Sequence, residues 1–248
     1  MADVRQAVYC GTRNLYGDME TAAKSLIANS SVEVVYMLCE DADMGRDLPD
    51  IIQVRDVHQQ RFFDADGPNM RSCFSYMAMM RATLSYVLQN QCRKVLSLDA
   101  DTICLSNVDG IWDLPMDGCY FAAVPEWHKS GNGLLYCNHG VVLYDLYKMY
   151  GAKTDEIIRV LNHRRFTWVE QDVCNYLCQG YIYEMPSKYN SCWWTDKNAD
   201  GAVIRHYAGM AREHWIDKPE VKRWRNASWD EVLALHDEHV ATYGSVGP

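Results

Sequence analysis

The sequence predicts an α/β fold, a mostly parallel β-sheet flanked by helices and followed by a small C-terminal lobe. Short apolar runs alternate with helical periodicities through the first half, the pattern of βαβ units. Hydrophobic residues make up 48% of the 248 and charged residues 23%, enough apolar material for one sizeable core. No repeat, low-complexity tract or linker divides the chain. It therefore reads as one domain over 1–248, with 216–248 a C-terminal helical extension.

Ala7 to Cys10 reads as the first strand, followed by a Gly11-Thr12-Arg13-Asn14 turn. A helix from about Met19 to Ala28 carries Ala22, Ala23, Leu26 and Ile27 on one face. Strands are expected at Val32–Leu38, Ile51–Val54 and Lys94–Leu98, with a helix over Met77–Leu88 before the last of these. Phe62 to Cys73, rich in Asp, Gly and Pro, reads as a surface loop. Later strands fall at Tyr120–Val124, Gly140–Leu143, Tyr181–Tyr183 and Ala202–His206, with helices at Thr154–Leu161 and Glu170–Leu177. A final helix starts near Ser228, where Ser228 and Glu231 have capping-box spacing.

A net charge of -9 argues against a nucleic-acid partner, which calls for a basic excess. Met1 to Gln6 has no apolar signal core, and no apolar run approaches the roughly 20 residues of a membrane span. The ten cysteines form no CxxC pair and sit mostly in apolar segments, so they read as reduced thiols in the cytoplasm. Cys174 and Cys178, one helical turn apart, fit a buried helix face better than a metal site.

In open α/β sheets ligands bind beyond the carboxyl ends of the strands. Lys94–Leu98 runs into Asp99-Ala100-Asp101, two acids at alternate positions that can face one hard divalent cation. Such an ion suits a diphosphate leaving group. Asp-Ala-Asp occurs twice more, at Asp41/Asp43 and Asp64/Asp66. The second of these lies in a loop, but Asp41/Asp43 also follows a strand, so context alone does not reject it.

Downstream blocks separate the candidates. Lys94–Thr102, Tyr136–Leu143 around Asn138-His139-Gly140, Trp168–Asn175 around Glu170-Gln171-Asp172, and Arg205-His206-Tyr207-Ala208-Gly209 stand in the order of four motifs of glycosyltransferase family 8. The chain resembles that family, which includes glycogenin and bacterial lipopolysaccharide glucosyl- and galactosyltransferases, over about Ala7 to Trp215. The resemblance implies a GT-A type fold with a Rossmann-like sheet. It also implies Mn²⁺ (or Mg²⁺) bound by Asp99, Asp101 and His206, a UDP-glucose or UDP-galactose donor, and retention of anomeric configuration.

It further implies uridine binding around Cys10, Thr12 and Asn14, and diphosphate contacts from Gly209 and Arg212. Donor-sugar contacts fall to Arg81, Asn138, His139, Glu170 and Gln171, and catalytic roles to Asp101, Glu170 and Gln171. The chain departs from the family pattern in four places: Thr12 for an acid, His139 for Ala, Glu170 for Asp, and Arg212-Glu213-His214-Trp215 for Lys-Pro-Trp. Lys218 is an alternative to Arg212. Tyr189, Asn190, Trp193 and Trp194 are candidates for an acceptor platform, with core packing an equal alternative. The acceptor is a glycan, protein or small molecule. A self-glucosylating, glycogenin-like protein and a non-catalytic sugar-nucleotide-binding or glycan-binding module are the rival functions.

Overall fold

The structure is a computed structural model that describes residues 4–72, 74–131, 133–195 and 201–244. Met1 to Asp3, Cys73 and the last four residues of the C-terminal extension lie outside the described residues. The strands are β1 (Gln6–Cys10), β2 (Val34–Cys39), β3 (Ile52–Asp56), β4 (Lys94–Leu98), β5 (Thr102–Cys104), β6 (Phe121–Pro125), β7 (Cys137–Asp145), β8 (Ile182–Glu184) and β9 (Ile204–His206). Seven form one sheet in the order β3-β2-β1-β4-β7-β6-β8, in which β7 alone runs against its neighbours. The expected mostly parallel sheet is present.

Helices α1 (Tyr16–Ala28), α2 (Tyr76–Met80), α3 (Leu84–Val87), α4 (Leu146–Met149), α5 (Ala152–His163), α6 (Val169–Leu177), α7 (Arg212–Trp215), α8 (Pro219–Asn226) and α9 (Trp229–Tyr243) cover both faces. Strand alternation divides the core in two. Ala7 and Tyr9 of β1 pack with α1 and the C-terminal helices, through Met19, Leu26, Val221 and Trp224. Val8 and Tyr36 face the opposite side, with Met77, Ile157 and Val173. Helix α1 buries Ala22 and Ala23, whose small side chains let the helix lie close to the sheet. Ser228 caps α9, its hydroxyl accepting the Glu231 N–H at 3.1 Å.

Three segments differ from the sequence expectation. The single helix over Met77–Leu88 is broken into α2, a 3₁₀ turn at Arg81–Thr83, and α3. The turn coincides with an inward-facing Arg81, and the Thr83 hydroxyl donates to the Met80 carbonyl at 2.8 Å, in competition with helical bonding. Strand β7 is longer than Gly140–Leu143 because polar Asn138 and His139 are buried with partners. Strand β5 was not anticipated; it pairs antiparallel with β9 as a separate ribbon.

The loop between β3 and α2 is anchored. Asn69, buried, donates to the carbonyls of Leu161 (2.6 Å) and Arg164 (2.7 Å) and accepts the Phe166 N–H (2.9 Å). Removing all three bonds strands buried backbone groups, so Asn69→Ala is expected to lower stability by about 3 kcal/mol. Denaturant unfolding checks this, and a loss below about 0.5 kcal/mol contradicts the anchoring role.

Candidate active site

The site begins with a turn rather than a strand. Strand β4 ends at Leu98, and Thr102 closes a turn by donating its backbone N–H (3.3 Å) and its hydroxyl (2.7 Å) to the Asp99 carbonyl. Asp99 and Asp101 therefore converge through a tight turn, which corrects the expectation that strand alternation aligns them. Pairing of Thr102 with His206 across β5 and β9 then delivers the imidazole. His206 Nε2 lies 3.3 Å from Asp101 and 3.6 Å from Asp99. The three ligand-capable atoms fall within 4.8 Å of one another, the one such group of three among the described residues.

Neither of the other two acidic pairs joins such a group among the described residues. Asp41 accepts from Arg13 and from the Tyr16 hydroxyl (2.8 Å), and Asp43 from the Gly45 N–H. Asp64 and Asp66 are exposed. Cys174 and Cys178 are buried in apolar core.

Two oxygens and an imidazole nitrogen suit a Mn²⁺- or Mg²⁺-class ion. The surroundings hold the ligand atoms in place. His206 Nδ1 bonds the Asn190 side-chain oxygen at 2.9 Å, which leaves Nε2 directed at the carboxylates. A Cβ on Gly140 would lie 2.0 Å from the His206 ring, so glycine is what gives the imidazole room. Burial disfavours charge on His206, yet Asp101 and Asp99 outweigh it and raise its proton affinity well above the ordinary value. A cation must displace that proton.

Arg81 ties Asp99 to Glu170 and to the backbone of β7. Its guanidinium donates to Asp99, to Glu170 and, at 2.8 Å, to the His139 carbonyl. Glu170 opens α6 and is 1% exposed, with its second oxygen free of hydrogen bonds. Burial pushes its carboxyl up to about 7, against the pull of Arg81. Val169, just before it, has φ 33°, uncommon for a β-branched residue. Gln171 accepts the His139 N–H (3.0 Å) and donates to Glu126 (3.2 Å) and to the Tyr136 hydroxyl (3.0 Å). Asn138 donates to Glu126 (3.0 Å) and accepts from the Gly140 N–H and the Asn190 side chain, both at 2.9 Å.

These groups open into one cleft of about 790 Å³, within the usual range of ligand sites. Cys10, Thr12, Asn14, Arg81, Asn138, Gly209 and Arg212 line it, as do the three metal-ligand candidates, Glu170 and Gln171. Thr12 donates its hydroxyl to Asn14 at 2.6 Å. Lys218 is not among the lining residues.

His139 departs from expectation. On β7, Asn138 and Gly140 face the cleft, so His139 faces the opposite core, between Phe121 and Tyr144. Only its backbone serves the site. Tyr189 and Asn190 are likewise buried rather than platform residues; Trp194 lines the cleft, and Trp193 is exposed nearby in sequence. Sequence reasoning missed Glu126, 3% exposed, which follows β6 and pairs with Lys129 at 3.0 Å. Its signal was an acid at the end of an apolar strand, Phe121 to Val124.

The sheet order and the cleft at the strand ends are those of a GT-A type glycosyltransferase fold. The chain belongs to glycosyl transferase family 8, whose sequence model matches residues 9–227. A curated relative, lipopolysaccharide 1,2-glucosyltransferase of Escherichia coli (strain K12), is 26% identical over 171 residues, covering 56% of this chain and 51% of its own. The chain thus spans about half the length of that relative. Among solved structures, galactosyltransferase LgtC in complex with donor and acceptor sugar analogues matches with TM-score 0.65 and 18% identity, over 94% of this chain and 95% of its own. Glycosyltransferase GlyE of Streptococcus pneumoniae TIGR4 matches with TM-score 0.68 and 19% identity, over 97% and 64%.

Two measurements probe this arrangement. Asn190→Ala frees the imidazole and is expected to weaken Mn²⁺ binding by about 10- to 100-fold in calorimetric titration. Wild-type affinity should also fall as pH drops and the proton regains His206; unchanged affinity in the variant would show that Asn190 does not set the ligand. The second concerns Glu170. With its pKa raised from 4.5 to about 7, the folded state binds the extra proton in that window. Its contribution to stability is full below 4.5 and is lost as pH rises through 7. Glu170→Gln is expected to flatten that part of the melting-temperature profile, and an unchanged slope contradicts the assignment.

Proposed function

We propose that the chain is a retaining hexosyltransferase that moves glucose or galactose from a UDP-sugar to an acceptor hydroxyl, dependent on Mn²⁺ or Mg²⁺. The observation that carries this reading is the convergence of Asp99, Asp101 and His206 on a cleft also lined by Glu170 and Gln171. Glucosyl transfer by the Escherichia coli relative and galactosyl transfer by LgtC support a hexose donor.

Asp99, Asp101 and His206 hold the divalent ion, which when bound neutralises the diphosphate as it departs. Cys10, Thr12 and Asn14 bind the uridine. Arg212 and the backbone at Gly209 meet the diphosphate; Gly209 has φ 72°, and a Cβ there would lie 2.4 Å from Trp194. Arg81, Asn138 and Glu170 hold sugar hydroxyls. The bond from the anomeric carbon to UDP breaks through an oxocarbenium-like state, and the acceptor oxygen bonds to the same face. The acceptor proton passes to a diphosphate oxygen of UDP. Gln171 is a poor nucleophile with its amide locked by three bonds, which favours this route over a covalent intermediate. Nine free thiols among the described residues suit a cytoplasmic setting, and no described helix is long and apolar enough to cross a membrane.

UDP release from a panel of UDP-sugars with Mn²⁺, combined with intact mass of the protein, tests the reading and separates transfer from self-glucosylation. Asp101→Ala is expected to cut turnover by about 100-fold or more, and Asp41→Ala to leave it within about two-fold. The reverse pattern would move the metal site to the earlier acidic pair.

A further inference from the structure

Asp18 is fully buried, yet it is also one of the residues lining the cleft. It lies in the first turn of α1, where a carboxylate is favoured by the helix dipole. Packing α1 against the C-terminal helices needs no acid there. Two guanidiniums share this one carboxylate. Arg212 donates to it through Nε (2.6 Å) and Nη2 (3.0 Å), and Arg225 through Nη2 (2.6 Å).

The geometry of Arg212 follows from that fork. Its side chain is half-exposed and lines the cleft, while Asp18 fixes the Nε and Nη2 edge. Nη1 has no partner among the described residues. The cluster of one carboxylate and two guanidiniums keeps a surplus positive charge. Held at both donors, the planar guanidinium presents its remaining N–H groups in one orientation, with little rotamer freedom left to lose on binding an anion.

Resting on the UDP-sugar reading above, we propose that Asp18 is a positioning residue that aims Arg212 at the donor diphosphate, with Arg225 keeping the cluster net positive. Asp18 touches no reacting atom and acts through Arg212. The ligand chemistry it favours is a nucleoside diphosphate over a monophosphate.

A double-mutant cycle tests this by calorimetric titration with UDP and with UMP, each in Mn²⁺. Asp18→Asn is expected to weaken UDP binding by about ten-fold, and UMP binding by less. In an Arg212→Gln background the same substitution should change UDP affinity by less than about two-fold. Equal losses in both backgrounds would mean that Asp18 merely supports the fold, and would overturn the proposal. If Asp18→Asn does not fold, Arg212→Lys decides, because it keeps the charge and loses the fork. It is expected to bind UDP about ten-fold more weakly, and wild-type affinity in that variant overturns the proposal. A wild-type chain that binds no UDP overturns the donor reading and this inference with it; UDP bound equally well with and without Asp18 overturns the inference alone.

Discussion

Two carboxylates and an imidazole brought within 4.8 Å of one another need positive charge among them, because repulsion between like charges is strong away from bulk water. The fold supplies part of it. Arg81 reaches Asp99 from the 3₁₀ turn that interrupts its helix, and His206 takes up a proton under the influence of both acids. Neither arrangement saturates the cluster, since Arg81 is shared with Glu170. A divalent ion satisfies the demand more completely, and the local backbone makes sense as a device for presenting that need.

The device is rigid because its hydrogen bonds run in one sense. His206 Nδ1 gives to Asn190, Asn190 to Asn138, Asn138 to Glu126, and Gln171 also gives to Glu126. Two of the three amides are fixed in orientation by a neighbour that can play only one role, the backbone N–H of Gly140 on Asn138 and that of His139 on Gln171, and Asn138 in turn orients Asn190. Glu126 is the sink of the chain and rests on Lys129. The three carboxamides of this buried network are satisfied, and such satisfaction stiffens a site. The candidate metal ligand His206 and the polar residues of the cleft are thus mechanically one unit, although they come from β6, β7, α6 and β9 or the segments that adjoin them.

Legibility in the sequence followed how each residue earns its place. Lys94–Leu98 is legible to the residue because a short, mostly apolar run, buried on both faces and ending at an acidic turn, has one sensible interpretation. Strand β7 was shortened because burial of Asn138 and His139 depends on partners far away in sequence, Glu126 and Gln171 among them. The break at Arg81 was invisible for the same reason: its acids lie 18 and 89 residues on. His206 alone is a weak signal, and only the order of motifs singled it out. His139 shows the limit of motif transfer, since a motif aligns positions while strand pleating decides which side chain enters the cleft.

Charge is distributed unevenly along the cleft, and this bears on the orientation of any substrate. Acids cluster where Asp99, Asp101, Glu126 and Glu170 meet, with Arg81, Lys129 and His206 between them. The flank formed by α1 and α7 has Asp18 under two arginines and a surplus of positive charge. A ligand with a polyanionic middle and a neutral, hydroxyl-rich end fits that gradient in one direction. Its anion lies between the cation site and Arg212, and its hydroxyls meet carboxylates and carboxamides that hydrogen-bond without needing a counter-charge. The reversed ligand would set phosphate oxygens against Glu170, whose free oxygen accepts hydrogen bonds unless protonated. The overall charge of -9 therefore does not oppose an anionic ligand, because local arrangement, not the sum, sets the field that the ligand meets.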